Sequence, residues 1–127
     1  MGAKTIIKPA GSPAAVGPYN HAVRCGNLLF CSGQIPLDPS TGELVGGDIR
    51  AQTERVLQNI LLILKDQQLS LENVVKTTVF LTDLSDFAGM NEVYASFFTV
   101  DFPARSTIQV AGLPKGARVE IEVVACF

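Results

Sequence analysis

The sequence predicts a single α+β domain over residues 1–127, a mixed β-sheet carrying two helices on one face. Three observations lead there. Two segments place apolar residues at helical spacing. Six short β-prone runs are separated by turn chemistry. The resulting order, β-ββ-α-β-α-ββ, places single helices between strands, and right-handed crossovers then put both helices on the same side of the sheet.

The elements follow in order. "KTIIK", Lys4 to Lys8, reads as a short first strand. "PAGSPAAVGPYN" holds three prolines and two glycines and reads as a loop ending near Tyr19. His21 to Cys25 and Leu28 to Ser32 are two β-prone runs around Gly26-Asn27, a hairpin turn. "LDPSTGEL" and Gly46-Gly47 are turn-forming, and Asp48 is the predicted N-cap of a helix whose stripe runs through Leu57, Ile60, Leu61 and Leu64. "NVVKTTVFLTD" is rich in β-branched residues and predicts a strand apolar on both faces. "DLSDFAGMNEVYASFF" resumes helical spacing through Phe87, Met90, Val93, Tyr94 and Phe97. The last runs, "ARSTIQVAG" and "ARVEIEVVACF", flank "LPK" and Gly116 and are predicted to form an antiparallel hairpin.

That hairpin sets an expected division of faces. Gln109 falls opposite Glu120, Thr107 opposite Glu122 and Arg105 near Val124. Arg105, Thr107, Gln109, Glu120 and Glu122 then share the face away from the helices, while Ser106, Ile108 and Val110 join Val119, Ile121 and Val123 beneath them. Alternation alone allows the polar set to be an ordinary wet surface, although Ala111, Val124 and Cys126 interleave with it.

Composition narrows the function classes. Apolar residues reach 47% and charged residues only 17%, below the ~25% of typical soluble domains, so a partner covering part of the surface is expected, identical subunits being the simplest source. A net charge of −2 without a basic run disfavours nucleic acid. Cys25, Cys31 and Cys126 are odd in number and lack metal or redox spacing, which points to a reducing, cytoplasmic setting and leaves an organelle open. The apolar cluster around Ile60 to Leu64 is too short to span a bilayer, so no membrane partner is expected.

Six segments together, "GPYNHAV", "CSGQIP", "NVVKTTVFLTDLSDF", "MNEVYASFF", "FPARS" and "GLPKGARVEIEVVA", closely resemble the reactive intermediate deaminase (Rid) family, in particular its archetypal imine/enamine deaminase subgroup, across essentially the whole chain. The resemblance implies a chorismate-mutase-like fold assembled as a homotrimer, with the sheets forming a central barrel, the helices outside and clefts at the subunit interfaces. It implies a metal-free 2-iminobutanoate/2-iminopropanoate deaminase, hydrolysing enamines and imines such as 2-aminoacrylate to 2-keto acids and ammonia in metabolite damage control. No cofactor is implied. One histidine, His21, cannot build a His-rich metal site and is assigned a structural role at a loop or strand edge.

The same resemblance assigns roles by residue. Arg105 matches the ligand of the substrate carboxylate, where a planar guanidinium fork orients as well as attracts. Glu120 matches the group that positions and deprotonates water, and partial desolvation in a cleft would suit it to that work. Tyr19 matches an aromatic lining the cleft, Ser32 and Gly33 a close backbone approach to ligand, and Asn91 a position near the cleft, a helix-surface role being the alternative. Thr107 stands where bacterial members often carry cysteine and contributes its backbone amide, which excludes a thiol mechanism there. Glu122 is read as structural.

The predicted register separates Arg105 from Glu120 by roughly 13 Å at ~3.4 Å per residue, too far for one small substrate. Each cleft is therefore expected to draw the two residues from different subunits. Competing functions are a trimeric small-molecule-binding or chaperone-like protein without turnover, and a ribonuclease or translation inhibitor; the acidic balance and lone histidine fit the latter poorly. A binding module would need the arginine but not a water-activating carboxylate.

Overall fold

The structure, a computed structural model, describes residues 3–127. Six strands and two helices follow the expected order: β1 (Thr5–Ile7), β2 (Ala22–Cys25), β3 (Leu28–Gln34), α1 (Ile49–Asp66), β4 (Val74–Leu81), α2 (Phe87–Phe97), β5 (Ala104–Gln109) and β6 (Val119–Cys126). No helix of the described residues is long and apolar enough to cross a membrane.

Local chemistry explains the element boundaries. Gly26 adopts a φ of 59°, closing the β2–β3 hairpin with Cys25 opposite Leu28. Asp48 caps α1 by accepting from the Ala51 amide at 3.0 Å. Leu57, Ile60 and Leu64 of the predicted stripe are fully buried, whereas Leu61 is half-exposed, and Val56 and Ile63 complete the buried face. Burying each such side chain stabilises the fold by about 1.5–3 kcal/mol. In α2, Met90 and Tyr94 are buried, while Phe87 at the first turn remains exposed.

The sheet order is β1-β2-β3-β6-β4-β5, so the final two strands are not neighbours. β6 lies antiparallel between β3 and β4, and β5 runs parallel to the outer edge of β4. The expected β5–β6 hairpin is thus replaced by a parallel β4–α2–β5 crossover and a connection over the end of β4. Two hydrogen bonds mark that crossing: the Val110 amide donates to the Leu81 carbonyl at 2.8 Å, and the Thr82 amide to the Arg118 carbonyl at 3.2 Å. Pro114–Gly116 do break the chain between the two strands, but a local break does not choose the partner of the strand it precedes.

This pairing reverses the expected face of β5. Arg105 pairs with Thr77, which pairs with Val123; Thr107 aligns with Val79 and Ile121, and Gln109 with Leu81 and Val119. Thr77, Val79, Leu81, Val119, Ile121 and Val123 are all buried in the core beneath the helices. Arg105, Thr107 and Gln109 consequently face the helix side, not the side of Glu120 and Glu122. Ser106 and Ile108 occupy the other face with Thr78, Phe80, Glu120 and Glu122. Val119, Ile121 and Val123 are where alternation put them.

The helix-free face is also less polar than expected. Phe30 aligns with Val124, and Ile108 with Phe80 and Glu120; Phe30 and Ile108 are each 45% exposed. An aromatic and a branched aliphatic side chain thus lie open on the face away from the helices.

Candidate active site

Glu120 arises from alternation along β6: Val119 and Ile121 are drawn into the core, so Glu120 is turned to the opposite face. One extra residue in β3 shapes the space beside it. Cys31 pairs with Val123, but Gln34 pairs with Ile121, leaving a bulge at Ser32–Gly33. Gly33 then lies so close to the carboxylate that a Cβ there would stand 1.9 Å from Glu120 Oε2 and 2.8 Å from its Cδ. A glycine was expected to admit a ligand; here its missing side chain admits the carboxylate itself.

The cavity around Glu120 measures about 410 Å³ and includes Tyr19, His21, Gly33, Gln34 and Lys115 in its wall. Burial, and secondarily the charge of Glu122, raises the Glu120 pKa above the ordinary glutamate value. No described residue donates a hydrogen bond to its carboxylate. The group therefore holds its proton more tightly than a surface glutamate and keeps lone pairs free for water.

The loop before β2 closes this cavity. The Ser32 hydroxyl donates to the Asn20 carbonyl at 2.5 Å, and the Ser32 amide to the His21 carbonyl at 2.8 Å. The His21 ring bonds through Nε2 to the Pro13 carbonyl and through Nδ1 to Gln34 Nε2, the latter at 3.1 Å. With Nε2 donating, Nδ1 is the acceptor, which defines the neutral tautomer of this arrangement. Tyr19 stands edge-on to the same ring, with centroids 6.2 Å apart. His21 is thus structural, as expected, yet its place in the cavity wall, like those of Gln34 and Lys115, was not legible from spacing. The left-handed Lys115, at φ 58°, turns the connection back toward the cavity.

Arg105 belongs to a different cavity. Its Nη1 donates to Asn91 Oδ1 of α2 at 2.8 Å, and its guanidinium carbon lies 4.7 Å from the Tyr94 ring centroid and 5.5 Å from that of Phe87. Tyr94 is held in turn by a 2.8 Å hydrogen bond with Thr77. Among the described residues the ion pairs are Arg50–Glu92 and Arg118–Asp86, so Arg105 has no carboxylate. Arg105 and Asn91 line a space of about 440 Å³ between α2 and the approach to β5.

The structure therefore brings together Tyr19, Gly33 and Glu120 in one cavity and Arg105 and Asn91 in another, on opposite faces of the sheet. Ser32 and Thr107 line neither: Ser32 anchors the loop, and the Thr107 hydroxyl is buried without a hydrogen-bond partner. Tyr94 and Phe87 were absent from the expected site because an aromatic at helical spacing reads equally as core.

Comparison with known proteins places this geometry in context. Residues 10–127 match the family model described as Endoribonuclease L-PSP. The human protein named 2-iminobutanoate/2-iminopropanoate deaminase is 47% identical over 122 residues, covering 96% of this chain and 89% of its own length. A RutC family protein of Pyrococcus abyssi is 50% identical over 123 residues, covering 97% of each chain. Among solved structures, E. coli TdcF with bound serine superposes with a TM-score of 0.92 at 44% identity, covering 97% of this chain and 98% of the other.

Proposed function

The chain belongs to the Endoribonuclease L-PSP family, whose RutC and Rid members its motifs resemble, and on that premise we propose that it hydrolyses 2-imino acids and their enamine tautomers to 2-keto acids and ammonia. The observation that carries this reading is a pair of complementary groups without an ion-pair partner among the described residues: the guanidinium of Arg105 and the partly desolvated carboxylate of Glu120. The name of the human relative and the serine in TdcF, an amino acid with a carboxylate, support the same ligand class.

In the proposed reaction, 2-aminoacrylate takes a proton from solvent at C3 to become the iminium form of 2-iminopropanoate, whose carboxylate is gripped by Arg105. Glu120 accepts a proton from water as the oxygen attacks C2, giving a carbinolamine. The proton on Glu120 then passes to the nitrogen, the C–N bond breaks as the carbinolamine hydroxyl gives its proton to water and becomes the keto oxygen, and ammonia and pyruvate leave with Glu120 again a carboxylate. Bidentate binding of the carboxylate orients C2 toward the water, which a lysine's single point of charge would not do.

A single chain cannot apply both groups to one three-carbon molecule, because the sheet separates them. The proposed site therefore takes Arg105 from one copy and Glu120 from its neighbour. The exposed Phe30 and Ile108 on the Glu120 face support such packing, and a homotrimer is the assembly proposed. Tyr19 closes the Glu120 side, and the Thr107 backbone amide is assigned to the substrate's carboxylate.

The test is release of keto acid from 2-aminoacrylate generated in situ. The unmodified protein is expected to exceed the spontaneous rate, and Arg105→Ala to lower kcat/KM about 10²- to 10³-fold at unchanged oligomeric mass. A rate equal to the spontaneous one with active 2-aminoacrylate present defeats the hydrolase reading.

A further inference from the structure

The space beside Arg105 is larger than the smallest imino acids require. At about 440 Å³ it falls within the roughly 300–1,000 Å³ range of sites that enclose substantial organic ligands. Its polar equipment is concentrated at one end, where Arg105 is tied to Asn91 by one of five donors and retains others for a carboxylate. The remainder is apolar. Tyr94 and Phe98 stack with centroids 4.5 Å apart, both nearly fully buried, and form a rigid aromatic floor. Ala95 of α2 leaves room above that floor, and Phe102, 72% exposed, stands at the rim.

We infer that this cavity is a side-chain pocket, and that the protein prefers 2-imino acids bearing branched or aromatic apolar side chains over the alanine-derived compound. With the carboxylate on Arg105, the side chain lies against Tyr94 and Phe98 between Ala95 and Phe102. An apolar side chain there packs on the buried aromatic floor and removes the exposed Phe102 ring from water, a gain that a methyl group cannot match. The inference rests on the proposed hydrolase reading but is separable from it, because the pocket must also recognise the stable keto-acid products.

The experiment titrates the full-length protein calorimetrically with pyruvate, 4-methyl-2-oxopentanoate and phenylpyruvate, alongside turnover of the corresponding imines. Affinity is expected to rise about tenfold or more from pyruvate to the larger acids. Phe102→Ala should weaken the larger acids selectively, Ala95→Phe should fill the pocket and flatten the series, and Arg105→Ala should abolish binding of all three. Equal affinity across the series, or a series unchanged by both Phe102→Ala and Ala95→Phe, overturns the inference even where turnover persists. Graded binding without turnover leaves the pocket standing and defeats the hydrolase reading instead.

Discussion

The two cavities are opposites in charge and in construction. The Glu120 cavity is made by a strand bulge, a glycine and a loop drawn down by His21 and Ser32, and its acid is held by burial rather than by a donor. The Arg105 cavity is made by a helix packed against an edge strand, and its cation is held by an amide and two aromatic rings. Neither group has an opposite charge to satisfy it among the described residues. A structural ion pair would have consumed both. Within the chain the two charges are not spent on each other, and the distance between them is the feature to attack.

The strongest attack is on the acid. Glu120→Gln preserves shape and is expected to lower kcat by about 10²- to 10⁴-fold, the usual range for a general acid/base. The pH dependence should change with it. The proposed base works as a carboxylate, so kcat/KM of the unmodified protein rises with pH through the raised Glu120 pKa, and the glutamine variant should lose that limb. Stability runs the other way. A carboxyl whose folded pKa lies above its unfolded value contributes stability below the unfolded pKa and loses it as pH climbs through the folded one. Denaturant titrations across that interval should show the unmodified protein weakening with pH, and Glu120→Gln weakening less.

Mixing chains probes the separation itself. Arg105→Ala and Glu120→Ala proteins, each nearly inactive alone, should recover about a quarter of full activity when co-assembled at equal amounts, because one in four neighbouring pairs unites the two intact residues. Mass spectrometry would confirm the mixed assemblies. Mixed assemblies with no more activity than either parent would show that the two cavities do not cooperate across an interface.

The mildest change acts through position. Gly33→Ala meets the tip of a flexible side chain rather than backbone, so it should shift the Glu120 carboxylate without unfolding β3. We expect kcat to fall about 10- to 100-fold while the melting temperature moves by only a few degrees. A variant of full activity would mean that the close approach of Gly33 to Glu120 has no bearing on the chemistry.

Much of this architecture was legible in the chain. The helix stripes, the Asp48 cap and the Gly26-Asn27 turn depend on residues within a few positions of one another, and they appear where the sequence put them except at Leu61 and Phe87, which the stripes included and the fold leaves partly or largely exposed. The motifs single out Arg105, Asn91 and Glu120 as candidates. Their grouping was not. The break at Pro114–Gly116 resembled a hairpin turn, but β4 accepts β6 on one side and β5 on the other, and nothing within the turn reports that choice. Because side chains alternate, assigning β5 to the wrong partner carried Arg105 to the wrong face. The bulge opposite Glu122 escaped for a related reason, since it exists only once β3 and β6 are paired.

By itself, then, the amino-acid order determined the kind and sequence of the elements, the buried stripe of each helix and the motifs that mark this family, because periodicity, capping and turn preference are short-range effects. Only the tertiary structure decided which strands are neighbours, and with that the placing of Arg105 and Glu120 in separate cavities on opposite sides of the sheet. Strand pairing joins residues far apart in the chain, and its outcome depends on which apolar faces can be buried together by the whole domain.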